Sequence, residues 1–135
     1  TPMQWDTTNN AGFSSGQSTW LPIQKDFRFV NATTAQQDPS SLYYATQQLL
    51  LLRSTLLPLK EGELTMINNK DLPSGVIGYK RSFGGESVFI YINFSKRKKV
   101  IKHVEGNTII HSIKKTDTIQ NGNITLYRRS AAIVK

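Results

Sequence analysis

From Val76 onward, short β-branched and aromatic runs alternate with turn-forming residues, and this rhythm constrains the fold more than any other feature. The runs are Val76-Ile77-Gly78-Tyr79, Val88-Phe89-Ile90-Tyr91-Ile92, Val100-Ile101, Thr108-Ile109-Ile110 and Ile124-Thr125-Leu126-Tyr127. Pro73-Ser74-Gly75, Gly84-Gly85, Glu105-Gly106-Asn107 and Asn121-Gly122 separate them, at a spacing near ten residues. Regularly spaced short strands of this kind predict an antiparallel β-sandwich or barrel. Phe83-Gly84-Gly85-Glu86 is the best hairpin turn, because two adjacent glycines supply the positive φ that a two-residue turn needs. Most of the aromatics Tyr79, Phe83, Phe89, Tyr91 and Tyr127 are expected to alternate into the core. Exposed on one face, they would instead make a carbohydrate-binding platform.

The chain before this region has a different character. Residues 39–57 predict one helix. Leu42, Ala45, Leu49, Leu52 and Leu56 recur at helical spacing, with Leu50 and Leu51 widening the stripe. Asp38 is the expected N-cap, Pro39 the first helical residue and Pro58 the stop. Such a broad leucine stripe must dock on another element. Residues 1–38 carry no period, yet Trp5, Phe13, Trp20, Phe27 and Phe29 stand among their polar residues. Disordered segments are poor in aromatics, so this stretch reads as a long ordered loop.

The catalytic inventory is thin. Cysteine is absent, which excludes disulfides, thiolate metal sites and a cysteine nucleophile. The acids Asp6, Asp26, Asp38, Glu61, Glu63, Asp71, Glu86, Glu105 and Asp117 fall mostly at expected turns, caps and strand ends. His103 and His111 have no carboxylate cluster beside them, so no metal or triad signal arises. No cofactor motif is present, and no apolar run is long enough for a membrane span. The sequence leaves the compartment open. The net charge of +8 is uneven: residues 1–79 sum to −1 and residues 80–135 to +9. Lys96-Arg97-Lys98-Lys99, Lys114-Lys115 and Arg128-Arg129 carry much of the excess, which is either a solvated face or the footprint of an anion. Trp5-Asp6 and Trp20 offer the aromatic faces and the carboxylate that sugar sites use, or else they pack the loop down.

The order of residues narrows this further. Thr1-Pro2-Met3-Gln4-Trp5-Asp6, Asn10-Ala11-Gly12-Phe13-Ser14, Trp20-Leu21-Pro22-Ile23, Asn31-Ala32, Asp38-Pro39-Ser40-Ser41-Leu42-Tyr43-Tyr44 and Leu52-Arg53 follow one another as in one family. The chain resembles the late part of alpha-amylase-family α-glucosidases: oligo-1,6-glucosidases, dextran glucosidases, maltases and trehalose-phosphate hydrolases. The match is strong over residues 1–57. It is looser beyond, where Gly78-Tyr79-Lys80-Arg81, Tyr91-Ile92-Asn93-Phe94-Ser95 and Ser130-Ala131-Ala132-Ile133-Val134 resemble the family's C-terminal domain.

The resemblance implies a layout. Residues 1–57 are the tail of a catalytic (β/α)8 barrel, namely the loop after strand eight and the last helix, 39–57. Residues 59–135 are the C-terminal antiparallel β-sandwich, of Greek-key type. It implies that the parent cuts α-glucosidic bonds of oligosaccharides with retention, using two aspartates and a glutamate. These lie upstream of the Thr1–Asp6 motif, as does the arginine that precedes that motif in the family, so the chain alone is expected to be inactive. Gln4, Trp5, Asp6 and Trp20 become accessory residues of the substrate rim. The implied partners are the barrel of the parent chain and an α-gluco-oligosaccharide, not nucleic acid. Without the barrel, either a homodimer covers helix 39–57 or residues 1–38 are disordered. A non-catalytic carbohydrate-binding or anion-binding sandwich remains the alternative.

Overall fold

The computed structural model describes all 135 residues, Thr1–Lys135. It divides into two compact units, Thr1–Leu51 and Leu52–Lys135.

Eight strands build the second unit: β1 (Glu63–Met66), β2 (Val76–Phe83), β3 (Glu86–Asn93), β4 (Lys99–Ile101), β5 (Ile109–Ser112), β6 (Thr118–Gln120), β7 (Asn123–Leu126) and β8 (Ser130–Val134). They form a five-stranded sheet in the order β1-β2-β3-β8-β5 and a three-stranded sheet in the order β4-β7-β6. Every pairing is antiparallel. The expected hairpin forms, with Phe83 opposite Glu86 around Gly84 at φ 58° and Gly85 at φ 83°. Asn121 and Gly122, at φ 50° and 70°, turn β6 into β7 in the same way. Two positive φ values match the right-handed twist of the flanking strands.

The sheets face each other across one core. Val76, Phe89, Tyr91, Ala132 and Val134 from the large sheet meet Ile101, Ile124 and Leu126 from the small one. Strand alternation puts Val88, Ile90 and Ile133 on the opposite face, where Leu59 covers them with Leu52, Leu56 and Ile110. Strand β3 is therefore buried on both faces, which is why Val88-Phe89-Ile90-Tyr91-Ile92 is an unbroken apolar run. Phe89 and Tyr91 are core residues, Tyr79 packs on the helix side, and only Phe83 and Tyr127 are substantially exposed. No aromatic row marks the sheet surface. Burial, with the nearby Glu105 carboxylate, pushes the Tyr91 hydroxyl up to about 12.

Two buried polar side chains hold the loops at one end of this sandwich. Asn93, only 1% exposed, donates to the carbonyls of Arg97 (2.8 Å), Leu126 (3.2 Å) and Tyr127 (2.9 Å). Its oxygen accepts from the Ser95 N–H (2.9 Å) and hydroxyl (2.7 Å). Asp117 accepts from the Tyr127 N–H at 2.8 Å and from the hydroxyls of Ser112 and Ser130.

The helices differ from the single one expected over 39–57. α1 (Ala32–Gln37) lies inside the stretch read as loop, capped by the buried Asn31, which accepts from the Thr34 N–H at 2.8 Å. α2 spans Leu42–Thr55 and α3 Leu57–Glu61, with Leu56 extended between them. Asp38 is not the N-cap of α2. Its carboxylate turns onto the Ser40 N–H (2.8 Å) and hydroxyl (2.7 Å), and Ser41 takes the cap, accepting from the Tyr44 N–H at 3.1 Å. Pro58 is not the stop of α2, which ends at Thr55 before the extended Leu56. It cannot bond back into α2, but it suits the first turn of α3. Arg53 ties the two together by donating to the carbonyls of Leu59 and Lys60. Gly62 then follows α3 so tightly that a Cβ would lie 2.4 Å from the Pro58 carbonyl oxygen and 2.8 Å from that of Ser82. No residue of α2 is buried, and Leu42, Leu49, Leu50 and Leu51 of the stripe stand exposed.

Candidate functional site

The six residues Thr1–Asp6 are held by the turn that follows them and by the start of α1. Trp5 donates its N–H to the Ala11 carbonyl at 2.8 Å. The Ala32 and Thr33 N–H groups, which open α1, donate to the Gln4 (2.9 Å) and Trp5 (3.0 Å) carbonyls. Helix starts leave such donors without internal partners, and here the N-terminal stretch supplies them. The Gln4 amide extends the tie, donating to the Val30 carbonyl at 2.6 Å and the Asp26 carboxylate at 3.2 Å.

Asp6 is also committed locally. Its carboxylate accepts from the Thr8 hydroxyl (2.5 Å) and N–H (2.8 Å), and these bonds hold its pKa below the usual carboxylate value. Gly12 makes room for it: a Cβ there would lie 2.6 Å from all three carboxylate atoms. Asn10, Ala11 and Gly12 run through consecutive positive φ values of 52°, 55° and 67°. Asn and Gly tolerate that region, whereas Ala11 does not, and its complete burial fixes it there.

The aromatic side chains separate into two settings. Trp20 is 98% exposed and lines a shallow groove of about 350 Å³ with Met3, Phe13, Thr19 and Leu21. Gln4, Trp5 and Asp6 are not among the residues that line it. Trp5 keeps about half of its surface in solvent. The first unit therefore offers an apolar, indole-bearing groove beside a loop ordered by Gln4 and Asp6. Met3 belongs to that groove. Acids and histidines do not gather in threes anywhere in the chain. No helix is long and apolar enough to cross a membrane.

Both the sequence and the fold match known proteins. Residues 1–62 match the alpha amylase catalytic-domain family. The glucan 1,6-alpha-glucosidase of Streptococcus dysgalactiae subsp. equisimilis is 35% identical over 111 residues, 82% of this chain and 20% of that protein. The oligo-1,6-glucosidase of Bacillus cereus is 30% identical along the whole chain, which corresponds to 25% of its length. Among solved structures, the trehalulose synthase MutB of Pseudomonas mesoacidophila MX-45 superposes with a TM-score of 0.80 at 26% identity, covering all of this chain and 25% of that one. The chain thus spans a quarter or less of the length of these relatives.

Proposed function

The chain belongs to the alpha-amylase family, and from that membership we propose that it is the C-terminal part of a retaining glycoside hydrolase acting on α-glucosidic bonds, α-1,4 or α-1,6, of oligosaccharides. Residues 1–57 are the tail of its catalytic barrel, and residues 59–135 are its C-terminal sandwich. One observation carries this reading. The glucosidases align along most or all of the chain yet are about four times its length, and the catalytic-domain match occupies only residues 1–62.

The exposed face of α2 supports it. Leu42, 83% exposed, Tyr43 and Leu50 line an apolar groove of about 470 Å³. Contiguous apolar surface of this kind marks an interaction site, and the barrel wall is its cover in the parent. Gln4 and Asp6 order the rim loop, while Trp5 and Trp20 present indole faces to the apolar side of a sugar ring. The catalytic carboxylates come from the barrel, so the 135-residue chain has no turnover of its own.

The test is an assay on nitrophenyl α-glucoside and isomaltose. The isolated chain is expected to match buffer. The same chain joined to the product of the coding region upstream of Thr1 is expected to release glucose. Turnover by the isolated chain would overturn the assignment, as would an upstream region that encodes no barrel.

A further inference from the structure

Residues distant in sequence bring four cationic side chains to one cleft of the sandwich. Lys96 comes from the β3–β4 loop, Lys114 from the β5–β6 loop, and Arg128 and Arg129 from the β7–β8 turn. Together they line a cleft of about 350 Å³. None has a carboxylate partner. The chain's ion pairs are Lys60–Glu61, Lys80–Glu105 and Lys135–Glu86, all formed by other residues. Asp117 lies among the same loops, but its oxygens are taken by Ser112, Ser130 and Tyr127. Its charge leaves the cluster with a surplus of three.

Lysines on mobile loops keep apart and are solvated. These loops are not free to do so. Asn93 holds the β3–β4 loop through Ser95 and Arg97, on either side of Lys96, and binds the same loop to the Tyr127 carbonyl. Asp117 holds the β5–β6 loop, its own N–H donating to the Lys114 carbonyl at 2.9 Å, and binds that loop to the β7–β8 turn. Arg129 closes the ring. It sits at φ 48°, a region that residues with a Cβ seldom adopt, and donates its N–H to the Ser95 carbonyl at 3.1 Å. Hydrogen bonds of the buried Asn93 and Asp117 side chains thus hold loops whose four cationic side chains line one cleft. Such preorganisation is what a bound dianion rewards.

We propose that this cleft binds a phosphate group, free or carried by a small sugar. Two guanidinium forks and two ammonium groups match the several acceptor oxygens of a phosphomonoester. The volume is at the lower end of small-molecule pockets, roughly 300–1,000 Å³, and leaves room for one sugar ring beside the phosphate. The assignment is independent of the catalytic reading above, because its test involves no turnover.

Isothermal titration of the 135-residue chain in low-salt buffer tests it with three probes: inorganic phosphate, glucose 6-phosphate and glucose. Saturable binding of either phosphate probe, none of glucose, and weakening with added chloride are expected. Equal affinity for the two phosphates assigns a free-phosphate site, and tighter glucose 6-phosphate assigns a sugar-borne one. R128Q/R129Q is expected to weaken binding at least tenfold with an unchanged circular dichroism spectrum. The control K98Q/K99Q removes the same net charge outside the cleft and is expected to leave affinity within twofold. No saturable phosphate binding, or equal losses in the two double variants, would overturn the proposal.

Discussion

Asn93→Ala should destabilise the sandwich about as much as truncating a large side chain of its apolar core. The amide of Asn93 donates to three carbonyls, of which that of Leu126 belongs to a fully buried residue. An orphaned buried acceptor costs about 1–3 kcal/mol, and the two part-buried carbonyls add about 1 kcal/mol each, for a loss of about 3–5 kcal/mol. Against a total stability of about 5–15 kcal/mol, this is a large fraction. At about 4–8 °C per kcal/mol for a domain of this size, Tm falls by about 12 °C or more. Urea denaturation followed by the near-UV circular dichroism of the buried Tyr91 reports on this unit. Asn93→Asp separates the cause from the shape. It keeps the acceptor that serves Ser95 but turns an oxygen toward the carbonyls that had a donor. Burial beside those carbonyls raises the new carboxyl's pKa in the folded state above the ordinary value of about 4. A raised folded pKa means stability that is present at low pH and lost as pH rises through that pKa. N93D should therefore be closer to wild type near pH 4 than at pH 7. An alanine variant within about 1 kcal/mol of wild type, or an N93D penalty that ignores pH, would refute the argument.

Three further outcomes follow from contacts described above. Gly62→Ala should cost about 1–3 kcal/mol by overpacking, because the new methyl meets two backbone oxygens rather than a flexible side chain; an unchanged urea midpoint would contradict the geometry. Thr8→Ala should raise the Asp6 pKa toward the ordinary carboxylate value, as followed by NMR titration. In the wild type, the Thr8 contact favours the ordered loop above the unfolded carboxylate pKa and fades as pH falls through the depressed folded value; an unmoved titration would remove Thr8 as the cause. Leu42→Glu with Leu50→Glu should leave unfolding within about 0.5 kcal/mol of wild type, since both side chains are exposed. Light scattering should show the wild-type chain associating through α2 and the double variant monomeric; a monomeric wild type with residues 1–38 ordered would remove α2 as a self-association surface.

The sandwich was legible because its signals are local. Two glycines at Gly84-Gly85 fix a hairpin, and Asn121-Gly122 fixes another, whatever surrounds them. The apolar run of β3 likewise announces burial on both faces. β1 and β6 were not legible, because one is an exposed edge strand and the other has a single apolar residue, Ile119. α1 has no apolar stripe, and only the cap at Asn31 marks it. Asp38 and Pro58 misled for a shared reason. Each carries a strong signal for a helix boundary, but Ser41 lies nearer the true start and Leu56 makes the true break. At the candidate site, residue order pointed to Gln4, Trp5, Asp6 and Trp20 together, whereas the groove forms around Trp20 and Met3. Asp6 is held instead against the left-handed turn at Asn10–Gly12, which no periodicity reveals. The cationic cleft was hidden for a different reason. Lys96, Lys114 and Arg128 are drawn from three loops, and their neighbours Lys98, Lys99 and Lys115 are left outside it.

The strand order carries a kinetic consequence. β3 reaches its full pairing only when β8 arrives beside it, some forty residues later in the chain. Until then, Val88-Phe89-Ile90-Tyr91-Ile92 is an open edge of high β-propensity and no charge, the kind of segment that recruits other chains. Non-local pairing of this type is slow to form. Yield on refolding should therefore depend on protein concentration more steeply than equilibrium stability does, and a short peptide copied from β8 should act as a poison or a protector of that edge during refolding.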